Sequence, residues 1–266
     1  MNRRTLINQL SAALLAGVVS LIGVGCADAD QVTAQDRGLV LVAGATGRTG
    51  RLVVSNLLEQ GYPVRALVRD MEHGHEILGD GVEFAEGDVR DIDSLRAAMQ
   101  GAASLIITIG SSRKDPDNGP EFVDYGGVRN LAQAAADTEV QQVVLMSSAG
   151  VTHEDHVLNQ MFNNILIWKF KGEEALRQSG VDYTIVRPGG LMDTPGGGTA
   201  VVFEQGDRSA PPRMIHREDV ALVCIAALKV PAARKKTFEV FGSEEQAPND
   251  WTNLYSDLQS DKELND

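Results

Sequence analysis

A short apolar run that empties into three evenly spaced glycines constrains this chain more than any other feature. "VLVAGATGRTG", Val40 to Gly50, reads as a buried strand, a tight turn and the first turn of a helix. Glycine at Gly44, Gly47 and Gly50 lets the backbone reverse sharply, lets it approach a ligand closely, and lets the helix pack on the strand. The helix that follows presents unpaired N–H groups and the positive end of its dipole, which suits a phosphate. A second strand ending about 20 residues further on supplies the rest of a dinucleotide fingerprint.

The remaining chain repeats the alternation. Apolar, β-branched runs at 39–44, 63–70, 82–89, 104–110, 141–150 and 182–190 predict six strands, and 237–242 a late seventh. Helical patterns fill 49–61, 91–101, 124–140 and 162–180, with another in "DVALVCIAAL". Strands separated by helix-length segments imply right-handed crossovers, hence an α/β, three-layered, doubly wound parallel sheet of the Rossmann type. The boundaries predicted are an export segment or membrane anchor over 1–29, a linker over 30–38, one nucleotide-binding domain with small substrate-side elements over 39–245, and an acidic tail over 246–266.

Charge limits the partners. With 266 residues and a formal charge of −13, the composition argues against binding a nucleic-acid backbone, which needs a basic face. A small molecule is the partner expected, in a monomer or weak homo-oligomer. Cys26 and Cys224 form no CxxC pair, and Cys224 reads as a small core residue.

The first thirty residues depart from a cytoplasmic pattern. Arg3 and Arg4 precede an uncharged run that lasts to Asp28, the order of a secretory signal. The paired arginines are similar to a twin-arginine export motif. Ala27-Asp-Ala29 fits signal cleavage, Gly23-Val-Gly-Cys26 resembles a lipoprotein box, and the run is also long enough for an uncleaved anchor. Periplasmic or membrane-anchored placement is the expectation, and a cytoplasmic one if the segment is no signal. Export sits awkwardly with a dinucleotide ligand, because free dinucleotide is not expected outside the cytoplasm.

The cofactor reading follows from the second strand. Arg69 ends it, where an arginine suits the 2′-phosphate of NADP, and Arg48 in the glycine turn is a second candidate for the same dianion. Asp70 keeps NAD open, since a carboxylate there accepts from a ribose hydroxyl.

By order and content, "GATGRTG", "ALVRD", "GDVRD", "VDYGGVRNLAQAA", "VVLMSS", "WKFKGEEALRQSGVDYTIVRPGGL" and "IHREDVALVCIAAL" resemble the atypical short-chain dehydrogenase/reductases, NAD(P)H-binding and NmrA-like. The flavin/biliverdin-IXβ reductase type is the similar group. The resemblance spans roughly 40–242. It implies that the turn from Gly44 through Ala45, Thr46, Gly47, Arg48 and Thr49 to Gly50 holds the pyrophosphate. It implies that Asp88 and Val89 contact the adenine and that Ile109 and Gly110 line the groove. Ser147 and Ser148 would lie beside the nicotinamide, Lys169 would reach its ribose, and Pro188 to Leu191 would pass near the carboxamide.

One departure is chemical. The family's tyrosine acid stands four residues before the lysine, and here that position is Ile165; the frame shifted to Lys171 finds Ile167. Without a phenol to deliver a proton, an isolated ketone or a sugar epimerisation is disfavoured. A quinone- or flavin-like conjugated acceptor, whose reduced anion is delocalised, suits the chain better. Ser148, or His153 and His156 in the loop after the fifth strand, are alternative donors, and those histidines with Leu191 are candidate substrate contacts. The rival is an NADP-binding sensor without turnover. No metal is expected: "HEDH" and "EHGH" lack ligand spacing. Residues 194–199 read as a substrate-side lid, and His216 to Asp219 as a helix cap.

Overall fold

The computed structural model describes residues 37–112, 115–196, 200–208, 213–243 and 251–265, excluding the side chains of 251, 252 and 265. The expected export segment, nearly all of the linker, and lid residues 197–199 lie outside them.

Six parallel strands form the centre of the sheet: β1 (Val40–Ala43), β2 (Val64–Val68), β3 (Glu83–Glu86), β4 (Ser104–Ile107), β5 (Gln142–Met146) and β6 (Tyr183–Pro188). Further along come β7 (Gly190–Met192), β8 (Val201–Glu204), β9 (Met214–His216) and β10 (Lys236–Gly242). The eight-stranded order is β3-β2-β1-β4-β5-β6-β10-β8, parallel throughout except that β8 runs antiparallel to β10. β7 and β9 pair in a separate two-stranded ribbon. Strand order reverses between β1 and β4, which opens a crevice at the carboxyl ends there.

β1 shows why both faces must be covered. Val40 and Val42 join one apolar cluster, and their neighbours Leu41 and Ala43 join the other. Successive strand side chains point to opposite faces, so an all-apolar strand demands a helical layer on each side. α1 (Gly50–Glu59) and α7 (Arg217–Lys229) pack on the first face; α3 (Ile92–Met99), α4 (Val128–Asp137) and α6 (Ile165–Gln178) pack on the second. Cys224 is buried on α7, its thiol pushed up to about 12 by that burial, in keeping with a core role.

α2 (Met71–Leu78) and the short α5 (Val157–Met161) complete the helices of the central body. α2 was not predicted, since Glu72-His73-Gly74-His75 is polar with an interior glycine. It starts because the Asp70 carboxylate accepts from the His73 N–H at 3.0 Å. The predicted helix 124–140 is two structures: a π-helical segment, Glu121–Gly127, runs into α4.

The acidic tail requires correction for its described residues. α8 (Trp251–Asp257) and α9 (Asp261–Asn265) pack on the sheet. Tyr255 is fully buried against Phe203 and Phe238, and its hydroxyl donates to the Val223 carbonyl at 2.6 Å. Asp261 accepts from the Tyr183 hydroxyl at 2.8 Å and from the Thr237 N–H and hydroxyl, both at 2.7 Å. Net charge concealed an apolar stripe, Leu254, Tyr255 and Leu258, with helical spacing. No helix among the described residues is long and apolar enough to cross a membrane.

Candidate active site

The carboxyl ends of β1 to β4 enclose a groove of about 260 Å³. Gly44 forms its floor with φ of +84°, and an added Cβ there would lie 2.9 Å from the Ile109 nitrogen. At Gly50 a Cβ would lie 2.0 Å from the Gly44 carbonyl oxygen, so the helix can start this close to the strand only as glycine. The Thr108 hydroxyl donates to the Ala43 carbonyl at 3.1 Å and fixes the end of β4 beside the turn.

Most of the predicted cofactor residues are brought together here. Gly44, Thr46, Gly47, Arg69, Asp88, Val89, Ile109 and Gly110 line the groove, while Ala45 and Thr49 are buried beneath the turn. Arg69 donates to the Asn118 side chain at 3.2 Å. Asp88 is gripped by Arg90, Nε to Oδ1 at 2.9 Å and Nη2 to Oδ2 at 2.7 Å. That grip holds its carboxyl below the usual carboxylate range. The cap of α3 is Asp91, not Asp88. Ser147 ends β5 almost fully buried, and its hydroxyl has no partner among the described residues. Ser148 donates its hydroxyl to the Ala149 carbonyl at 3.0 Å. Pro188 closes β6, buried, and Leu191 is half-buried in β7.

Arg48 is a correction. It does not face this groove or Arg69. Its guanidinium turns to the other side of the glycine turn and pairs with Asp193, Nη1 to Oδ2 at 2.8 Å. Arg69 lines the groove and Arg48 lines a separate pocket, so one dianion cannot use both arginines as placed.

Lys169 lies on the inner face of α6. Its ammonium pairs with Asp124 at 2.7 Å; the Asp124 side chain is fully buried and its other oxygen accepts from the Ser111 N–H at 3.1 Å. Asp124 sits in the π-helical segment, a distortion common at functional sites. Gly172 lets α6 cross that segment closely, since a Cβ there would lie 2.4 Å from the Asp124 carbonyl oxygen. Sequence reading passed over Asp124; its signal was a carboxylate inside an apolar helical run, next to Gly126 and Gly127. Lys171 faces elsewhere, 4.1 Å above the Trp168 ring.

All four tyrosines are placed, and none reaches Lys169. Tyr183 and Tyr255 are buried, and burial pushes both phenols up, with Asp261 adding to the rise at Tyr183. Tyr62 lies at the far end of α1 beneath Arg37, and Tyr125 stacks on Trp168 with ring centres 6.0 Å apart. Half-buried Ile165 stands one turn before Lys169.

The NAD(P)H-binding family model matches residues 44–231. Sanguinarine reductase of Eschscholzia californica is 35% identical over 261 residues, covering 82% of this chain and 95% of that protein. An uncharacterized chloroplastic protein of Arabidopsis thaliana is 37% identical over 228 residues, covering 77% of this chain and 70% of its own length. A Bacillus halodurans protein described as an NAD-dependent epimerase/dehydratase superposes with a TM-score of 0.72 at 28% identity, covering 83% of this chain and 100% of that one. The chain belongs to the NAD(P)H-binding, NmrA-like atypical short-chain dehydrogenase/reductases. It is an NAD(P)H-binding oxidoreductase.

In this family member the groove fits a dinucleotide: a glycine cradle with no room for a Cβ and a helix N-terminus behind it, while Ser147, Lys169, Pro188 and Leu191 are not among the residues that line it. The loop after β5 is braced instead of open. His153 Nε2 bonds the Asp207 carbonyl at 2.6 Å, and His156 Nδ1 accepts from the Leu158 N–H at 3.1 Å as the cap of α5. The Asp207 carboxylate accepts from the Gly150 N–H at 2.6 Å and from the Thr152 N–H and hydroxyl at 2.9 and 2.8 Å. The structure thus gives His153 and His156 loop-holding bonds and does not bring them to the groove. No metal cluster occurs among the described residues. His216 bonds Thr194 at 3.0 Å and makes no cap bond of its own, while Asp219 is buried on α7.

Proposed function

We propose that this oxidoreductase reduces a small conjugated acceptor, quinone- or flavin-like, with NADPH and without a tyrosine acid. The observation that carries the reading is the Lys169–Asp124 pair standing where no phenol comes within reach. The nicotinamide, when bound, supplies a hydride. Lys169, fixed by Asp124, keeps further N–H donors for the ribose hydroxyls. Ser147 offers its unpartnered hydroxyl beside the ring, and Pro188 with Leu191 walls off water. An alkoxide formed from a simple ketone finds no positioned acid here; a delocalised anion takes its proton from water, so ring alignment supplies most of the rate. The epimerase described for the B. halodurans neighbour would need the same missing acid.

NADP is favoured over NAD because Arg69 lines the groove while the neighbouring Asp70 is engaged as the cap of α2. The partner proposed is a small molecule and not a nucleic acid. The 1–29 segment is proposed to direct the chain to or across a membrane; cell fractionation tests it, and a uniformly soluble cytoplasmic pool would refute it. The single-turnover experiment loads the full chain with NADPH and adds quinones or free flavins. Rapid loss of nicotinamide absorbance, slowed in Lys169→Ala, is expected. Tight NADPH binding with no oxidation by any acceptor would replace this reading with a sensor, which Ile165 favours.

A further inference from the structure

The side of the glycine turn that Arg48 faces holds a second pocket, of about 370 Å³, walled by the starts of α1 and α7 and by the chain leaving β7. Three guanidinium groups line it: Arg48, Arg51 and Arg217. Asp193 lies between two of them, Oδ2 to Arg48 at 2.8 Å and Oδ1 to Arg217 Nε at 2.6 Å. Arg217 also donates to the Thr49 hydroxyl at 3.3 Å, which ties this pocket to the dinucleotide turn. Glu218 is engaged by the Gly196 N–H at 2.8 Å, and the Arg51 side chain has no ion pair or hydrogen bond among the described residues.

Stability does not account for this arrangement. Side chains of Arg48 and Asp193 are 62% and 57% exposed, and ion pairs so exposed contribute about 0–1 kcal/mol. Two planar forks meeting one carboxylate are instead the geometry that recognises carboxylate or phosphate. The pocket's location adds a second argument. β7 leaves Pro188, beside the expected nicotinamide, and reaches Asp193 directly, with Met192 and Leu52 as an apolar flank.

We propose that this pocket is an anion subsite for the acceptor, in which a carboxylate or phosphate of the substrate displaces Asp193 from Arg48 and Arg217. The substrate class narrows to a conjugated ring bearing one acidic group a few bonds away. Asp193 is a stand-in for that group in the free chain. Once displaced, it leaves three cationic forks facing the ligand, with the one carboxylate that remains, Glu218, turned to backbone. This deepens the reductase reading and rests on it for the word acceptor.

Riboflavin and FMN test it, since they share one ring and differ by a phosphate. Their dissociation constants for the full chain, by quenching of flavin fluorescence, are measured with that of NADPH and with NADPH oxidation. FMN should bind about tenfold or more tighter than riboflavin, the scale of a charge-assisted fork. Asp193→Asn should widen that ratio by removing the internal competitor, and Arg217→Gln should collapse it. Equal binding of the two flavins by the wild-type chain overturns the proposal. So does an unchanged ratio in Arg217→Gln with NADPH weakened, which would assign the pocket to the dinucleotide. Selective FMN binding with no oxidation of NADPH by FMN or by any quinone keeps the anion subsite and removes the reductase reading instead.

Discussion

α6 carries two ion pairs one turn apart, and they are built in opposite ways. Glu173, fully buried, accepts from Arg187 Nε at 3.0 Å and Nη2 at 2.6 Å, and from Arg177 Nη2 at 3.0 Å. Arg187 continues to Glu239 at 3.1 Å, and Glu239 to the Asp207 N–H at 3.1 Å. Lys169, four residues before Glu173, has one carboxylate and leaves its other N–H bonds unengaged among the described residues. A buried charge whose donors and acceptors are all used holds strands and loops together. One with donors left over, as Lys169 has, keeps bonds to spare for a ligand. If the proposed function holds, the difference divides groups that hold the fold from groups that bind.

The largest expected effect breaks the closed cluster. Arg187→Met should lower the unfolding free energy in urea by about 3–5 kcal/mol, because Glu239 is left buried without its cation and Glu173 keeps Arg177 alone. Burial already pushes the Glu239 carboxyl up despite Arg187. Without the cation the unpaired carboxylate should bind protons more readily in the folded state than in the unfolded one, so the deficit should shrink as pH is lowered. A deficit that stays below 1 kcal/mol at neutral pH would mean the cluster does not hold the sheet.

Arg69→Gln should act on binding alone. Losing a fork on the 2′-phosphate costs about 1.5–3 kcal/mol, roughly ten- to hundredfold in NADP affinity. NAD affinity, read by the same titration, should hardly move; parallel losses would remove Arg69 from phosphate recognition. Asp124→Asn should weaken NADPH about tenfold by loosening Lys169, with a smaller change in unfolding than Arg187→Met produces. If the unfolding change were the larger of the two, Asp124 would belong with the closed cluster.

The smallest effect concerns Asp88. Arg90 depresses its folded pKa, so its contribution is present above the ordinary carboxylate range and is lost as pH falls through the depressed value. Because the pair is well exposed, the wild-type advantage over Asp88→Asn should stay below about 1 kcal/mol at neutral pH. Urea titrations should show it vanish in acid. A constant difference between pH 7 and pH 2 would show that the Arg90 pairing is not its source.

The sheet and its crevice were legible in the sequence because β-branched runs and glycine punctuation are local signals. Every central strand nevertheless stops short of its predicted carboxyl end: 44, 69–70, 87–89, 108–110, 147–150 and 189–190 lie beyond β1 to β6. They continue the direction of their strands, and Gly44, Arg69, 87–89 and 108–110 among them line the groove. Asp124 was harder to see because its meaning depends on Lys169, 45 residues later in the chain. Arg48 was misdirected for a related reason: sequence places it beside the turn without saying which side it faces. β7, β8 and β9 are too short to show a period of two, and α8 and α9 were masked by their acidic neighbours.

The position of β10 bears on how the protein is made. β10 inserts between β6 and β8, and Asp261 then fastens it to Tyr183 of β6. The walls of the nucleotide groove, by contrast, come almost entirely from the first four strands. During synthesis a growing chain therefore owns its dinucleotide cradle long before the far half of the sheet can close. Lys169 and Asp193 follow the cradle and precede β10 in the chain, so both are made before the sheet can close.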